Sequence, residues 1–76
     1  MVEKLSRLPL ETRTALQQLS CFGDRAETTM LAIALEKSDE DVRHDLWDAI
    51  RLELVEHVNG AYKFVHDRIQ EAAYSL

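Results

Sequence analysis

Leu54-Val55-Glu56-His57-Val58-Asn59-Gly60-Ala61-Tyr62-Lys63-Phe64-Val65 is the stretch whose reading decides the fold. Here the spacing of apolar side chains changes from the 3.6 of a helix to the 2 of a strand. Asn59-Gly60 breaks the run with the two residues that accept the positive φ angles of a type I′ turn, the strongest short-range signal of a β-hairpin. A two-residue turn also fixes the register. Val58 stands opposite Ala61, His57 opposite Tyr62, Glu56 opposite Lys63 and Val55 opposite Phe64. Val55, Phe64 and the ring of Tyr62 then share the face assigned to the core, and Glu56 and Lys63 pair on the outer face.

Upstream of the hairpin the pattern is helical throughout. Ser38 is an N-cap, and Asp39, Glu40 and Asp41 crowd a first turn where the helix dipole favours carboxylates. Val42, Leu46, Ala49 and Ile50 then trace one apolar stripe, predicting a helix over about 39 to 52. Before it, Met30, Leu31, Ala34 and Leu35, widened by Ile33, predict a short apolar helix over about 27 to 36, sandwiched in the core. Asp24-Arg25-Ala26 reads as a loop. Ala15, Leu16, Leu19 and Phe22 give the stripe of a first helix over about 10 to 22, entered through Pro9 and ended by Gly23 in a left-handed cap. Residues 1–8 read as an N-terminal arm, with Val2 to Arg7 either a turn of helix or frayed. Downstream, Ile69, Ala72, Ala73 and Leu76 predict a last helix with Asp67 as N-cap. With no stop signal by residue 76, residues 67–76 read as the start of a following helix, and 1–76 as a single domain from a longer chain.

Composition limits what such a domain does. The chain has 76 residues, 46% hydrophobic and 30% charged, the balance of a folded domain rather than a disordered one. Two glycines and one proline exclude collagen-like and linker-like readings. The single cysteine, Cys21, forms no internal disulfide, and the reducing cytoplasm is the expected compartment. No apolar run approaches the ~20 residues of a membrane span, and Met1-Val2-Glu3-Lys4 does not open a signal peptide.

Three helices, a hairpin and a further helix is the element order of a winged helix: a mainly α fold with a three-helix core, a two-stranded wing and a C-terminal helix. Duplex DNA is the first partner to weigh, and charge argues against it. The net charge is −5, and the third helix carries Asp39, Glu40, Asp41, Asp45 and Asp48 against Arg43 and Arg51. The phosphate term that dominates non-specific affinity therefore has the wrong sign. Catalytic motifs are missing: there is no GxxxxGK[ST] loop, no H-E-x-x-H and no cysteine pair. His44 and His57 read as surface or boundary histidines, Cys21 as a half-buried structural thiol, and Trp47 as a residue at the edge of the core. Catalytic and metal-ligating residues are both read as none.

The stretch Tyr62-Lys63-Phe64-Val65-His66-Asp67-Arg68-Ile69-Gln70-Glu71-Ala72-Ala73-Tyr74-Ser75-Leu76 places a histidine at a strand end with a helix directly behind it. Val65-His66-Asp67 resembles the hydrophobic-His-Asp motif that closes the winged-helix domain of STAND-class signalling ATPases. The longer segment is similar to the predicted ATPase region of large multi-sensor serine/threonine and histidine kinases. Leu8-Pro9, Leu16, Leu19 and Cys21-Phe22-Gly23 are similar to that family's first helix. Ser38, Val42, Leu46 and Leu54-Val55 are similar to its third helix and first wing strand. Ala26 departs from it, standing where relatives carry a larger residue.

The resemblance implies a non-catalytic coupling module with an upstream nucleotide-binding domain and downstream helical repeats of the same chain as partners, and with neither nucleic acid nor membrane. It implies no cofactor in the isolated domain, and ADP or ATP with Mg²⁺ in the parent. It implies that His66 senses the nucleotide phosphates while Asp67 caps the helix and orients it. The alternative is a DNA- or protein-binding winged helix of a transcriptional regulator.

Overall fold

The computed structural model describes residues 5–76. Of the arm read at 1–8, residues 1–4 lie outside the described residues, while Leu5 is fully buried and Leu8 nearly so, both within the main core cluster. Pro9 then stands at the N-cap of α1 (Leu10–Phe22). Its carbonyl accepts the Arg13 N–H at 3.0 Å. Ala15, Leu16 and Leu19 turn inward as their spacing predicts, but Phe22, last in the stripe, is 41% exposed.

The reason lies in Gly23. Its φ of 118° and ψ of −144° are not the left-handed cap expected but an extended mirror-image conformation open essentially to glycine alone. That conformation sends the chain out of the helix straight into a strand, β1 (Arg25–Glu27), where a loop was expected.

This strand changes the sheet. The hairpin is formed by β2 (Val55–Val58) and β3 (Ala61–Phe64) in the predicted register, and β1 pairs antiparallel along the other edge of β3. The order is β1-β3-β2, so the two-stranded wing expected is a three-stranded sheet. Hydrogen bonds pin both ends of β1. The Phe64 N–H donates to the Asp24 carbonyl, and the Thr28 N–H and hydroxyl both donate to the Gly60 carbonyl, each at 2.9 Å. Only Ala26 of its three residues turns inward, too short an alternation to show in sequence.

The second helix, α2 (Thr28–Leu35), is not sandwiched. It buries Thr28, Leu31 and Ala32, while Ile33 is 74% exposed and Met30 about half exposed. Eight residues make two turns, and one side of them meets α1 and the next helix, α3 (Asp39–Arg51). Ser38 caps α3 as predicted, its hydroxyl accepting the Asp41 N–H at 3.1 Å. Val42, Leu46 and Ala49 are fully buried, and Ile50 is half-buried against the same core.

Asp45 departs from the exposed position expected of it. Buried to 8% exposure, it pairs with Lys37 Nζ at 2.5 Å, while its backbone carbonyl accepts the Thr12 hydroxyl. This cluster ties α1, the α2–α3 turn and α3 together.

Both α2 and α3 end on a glutamate in the left-handed region, Glu36 at φ 56° and Glu53 at φ 62°. Behind α3, the Leu54 N–H reaches back to the Ala49 carbonyl and the Glu53 N–H to that of Ile50. Lys37 and Glu36 repeat the arrangement behind α2. This is the Schellman ending that glycine usually fills, and it explains how a chain with so little glycine turns so often. The last helix, α4 (Asp67–Tyr74), buries Ile69, Ala72 and Ala73 against the core. Among the described residues no helix is long and apolar enough to cross a membrane.

Candidate functional site: the strand–helix corner at His66

The corner is built by backbone bonds on both sides. The Val65 N–H donates to the Leu54 carbonyl at 3.1 Å, holding the end of β3 to the residue that precedes β2. The His66 carbonyl accepts the N–H groups of Ile69 at 3.0 Å and Gln70 at 3.4 Å. Those bonds, with an extended backbone at φ −139° and ψ 148°, make His66 itself the N-cap of α4.

Asp67 is therefore not the cap that was expected. It is the first helical residue, where its carboxylate complements the helix dipole. No side-chain hydrogen bond joins His66 and Asp67 among the described residues, and both are exposed. The aspartate therefore does not hold the imidazole through a hydrogen bond among the described residues.

His66 borders a groove of about 490 Å³, lined also by Ile50, Glu53, Val55, Glu56 and Val65. Sequence reading did not bring the two glutamates to this histidine. Glu53 arrives because its left-handed backbone turns the chain after α3, and Glu56 because it lies one residue along β2 from Val55. The electrostatics follow directly. Unit charges about 4 Å apart interact by ~1 kcal/mol in water and ~4 kcal/mol at the effective dielectric of a protein surface. Two carboxylates thus oppose a phosphate inside the groove. The imidazole offers one hydrogen bond toward an oxygen at its rim, and neutralising charge must come from elsewhere.

The remaining candidates do not join this corner. His57 is exposed on β2, its ring stacked on Tyr62 with centroids 4.5 Å apart. His44 lies on the outer side of α3, with Nδ1 4.0 Å from Asp45 Oδ1. Cys21 is exposed, not half-buried as expected, because it leaves the inward face of α1 just before the helix ends. Trp47 is 61% exposed and so lies outside the core edge. With Glu40, Arg43 and His44 it lines a second groove of about 400 Å³. Among the described residues, no three histidine, cysteine or acidic side chains converge as metal ligands.

Comparisons with protein-family models, characterised proteins and solved structures found no match to this chain.

Proposed function

We propose that this chain is a winged-helix coupling module of a STAND-type signalling ATPase, cytoplasmic and without catalysis of its own. It relays the nucleotide state of an upstream nucleotide-binding domain to downstream helical repeats. The observation that carries the reading is the placement of His66: an exposed imidazole with no side-chain hydrogen bond among the described residues, on a corner anchored from both sides. Such a group meets another body without costing its own domain a contact. In the closed, ADP-bound arrangement it donates to a phosphate oxygen from the rim of the groove, with Asp67 beside it in the first turn of α4.

A hydrogen bond to an ionised group contributes ~1.5–3 kcal/mol. Present only in the closed state, it shifts the closed-to-open ratio roughly tenfold for each ~1.4 kcal/mol. In the parent protein, His66→Ala is expected to speed ADP release and raise basal signalling, and His57→Ala to do neither. The thermal midpoint of the isolated chain should fall by no more than a few degrees with His66→Ala. A large fall, with ADP release unchanged in the parent, would reduce His66 to a structural corner.

A second reading, protein docking through α3, draws on the exposed indole of Trp47, a residue type enriched at binding hot spots. DNA docking through the same face is disfavoured. With Asp45 withdrawn into its pair, Asp39, Glu40, Asp41 and Asp48 still outnumber Arg43 and Arg51. Fluorescence anisotropy with a labelled random duplex at ~100 mM salt, where the Debye length is about 10 Å, should show no binding. Micromolar, salt-sensitive binding would restore the transcription-regulator alternative.

A further inference from the structure

The helix α2, Thr28-Thr29-Met30-Leu31-Ala32-Ile33-Ala34-Leu35, contains no charged residue. A helix apolar on every side is ordinarily covered on every side. Here the fold covers only one. Leu31 and Ala32 enter the core, where α2 meets α1 and α3. Met30, Ile33 and Ala34 stay exposed, Ile33 to 74%. These three fall at i, i+3 and i+4, a single row along the helix. An apolar row, unlike one stray exposed leucine, marks a surface that meets another molecule.

Charge decides what that molecule is. From residue 27 to residue 41 the chain carries Glu27, Glu36, Asp39, Glu40 and Asp41, and a single base, Lys37. Lys37 is paired with Asp45, whereas neither Glu27 nor Glu36 forms an ion pair among the described residues. Glu27 stands three residues before Met30 and Glu36 three after Ile33, so an unpaired acid brackets each end of the row. A second copy of this chain would set the same acids against one another. The face, ~12 Å long and ~10 Å across, also offers only roughly 120 Å², far below the ~800 Å² per partner of a stable dimer. An anionic lipid surface is repelled by the same charges. A brief contact with a basic segment needs no such area, because opposite charge brings the two together and orients them.

We infer that the outer face of α2 is a docking surface for a basic amphipathic helix of a partner protein. Its aliphatic stripe lies on Met30, Ile33 and Ala34, and its lysine or arginine side chains reach Glu27 at one end and Glu36 at the other. Ala34 is small enough to let the two helices approach closely, and the unbranched side chain of Met30 adapts to what packs against it. None of these residues belongs to the His66 corner, so the test is independent of the function proposed there.

Methyl groups report on this surface directly. The probe is the peptide acetyl-(Leu-Lys-Lys-Leu-Leu-Lys-Leu)₂-amide, titrated into the ¹³C-methyl-labelled chain at ~100 mM salt, where distant charges are screened. The Met30 and Ile33 methyl signals should shift, and those of Leu10, exposed on α1, should not. The same peptide with glutamate in place of lysine should bind at least tenfold more weakly. Ile33→Ser, at a largely exposed side chain, should lose at least tenfold. Glu27→Gln combined with Glu36→Gln should lose as much and flatten the salt dependence. Should a variant fail to fold, the peptide pair and the methyl shifts on the unaltered chain decide alone. Unmoved Met30 and Ile33 signals at millimolar peptide, equal affinity for the two peptides, or undiminished binding by a folded Ile33→Ser chain would overturn the inference. So would an Ile33 signal that moves with the concentration of the chain alone, or one that responds to phosphatidylserine vesicles and not to the peptide.

Discussion

Tyr62 is the largest fully buried side chain, and its hydroxyl proton finds no acceptor among the described residues, with only the Arg43 guanidinium near its oxygen. Burial pushes its pKa above the ordinary tyrosine value; the charge of Arg43 and the approach of its guanidinium as a donor to the phenol oxygen offset part of that rise, and Asp39 adds to it. The folded state therefore keeps the phenolic proton at a pH where the unfolded chain has released it. Stability from this source is complete below about pH 10 and falls as the pH climbs above it, by up to ~1.4 kcal/mol per unit. Tyr62→Phe keeps the ring and its stacking on His57 while removing an orphaned donor that costs ~1–3 kcal/mol. It is expected to leave stability at pH 7 unchanged or higher, and to blunt its decline above pH 10. Urea unfolding at both pH values checks this. A loss of more than ~1 kcal/mol at pH 7 would show that the hydroxyl has a partner after all.

The ends of the elements carry the backbone strain. Gly23 has open space where a Cβ would stand, so only its φ of 118° resists substitution. Gly23→Ala is expected to cost ~1–3 kcal/mol. Glu53 holds a left-handed backbone at a position where glycine is at home. Glu53→Gly relieves ~1–2 kcal/mol of strain against ~0.5–1 kcal/mol of added chain entropy, for a net gain of zero to ~1.5 kcal/mol. Opposite signs in paired thermal melts are the expected outcome; a stabilising Gly23→Ala would contradict the conformation described. These same positions mark where sequence ceased to be legible. The helices of α1 and α3, the Ser38 cap and the hairpin register follow from periodicity and turn chemistry, which are local. A strand of three residues and glutamates in place of glycines leave no local trace. The cap at His66 rather than Asp67 also depends on which carbonyl accepts the first helical bonds, a matter of geometry. At the candidate corner the histidine was legible and its acidic neighbours were not, since Glu53 and Glu56 reach it only through the turn between α3 and β2.

One core unites Leu16, Leu19, Leu46, Val55 and Phe64 with Leu5, Leu8 and Ile69. Leu46→Ala is expected to cost ~2–5 kcal/mol. A chain of this size has ~4–11 kcal/mol in total at ~0.05–0.15 kcal/mol per residue, so that one substitution takes a large share of it. A urea midpoint left unmoved would place α3 outside the core.

The sheet that closes over this core is assembled from partners of very different reach. β2 and β3 are neighbours through a two-residue turn, whereas β1 meets β3 only after α2, α3 and β2 have intervened. Hairpins form in ~1–10 μs, while distant pairing waits on closure of the loop between. β1 is thus the last strand to join and the first to leave. Its amides should exchange with solvent deuterium through a local opening, well before those shared by β2 and β3.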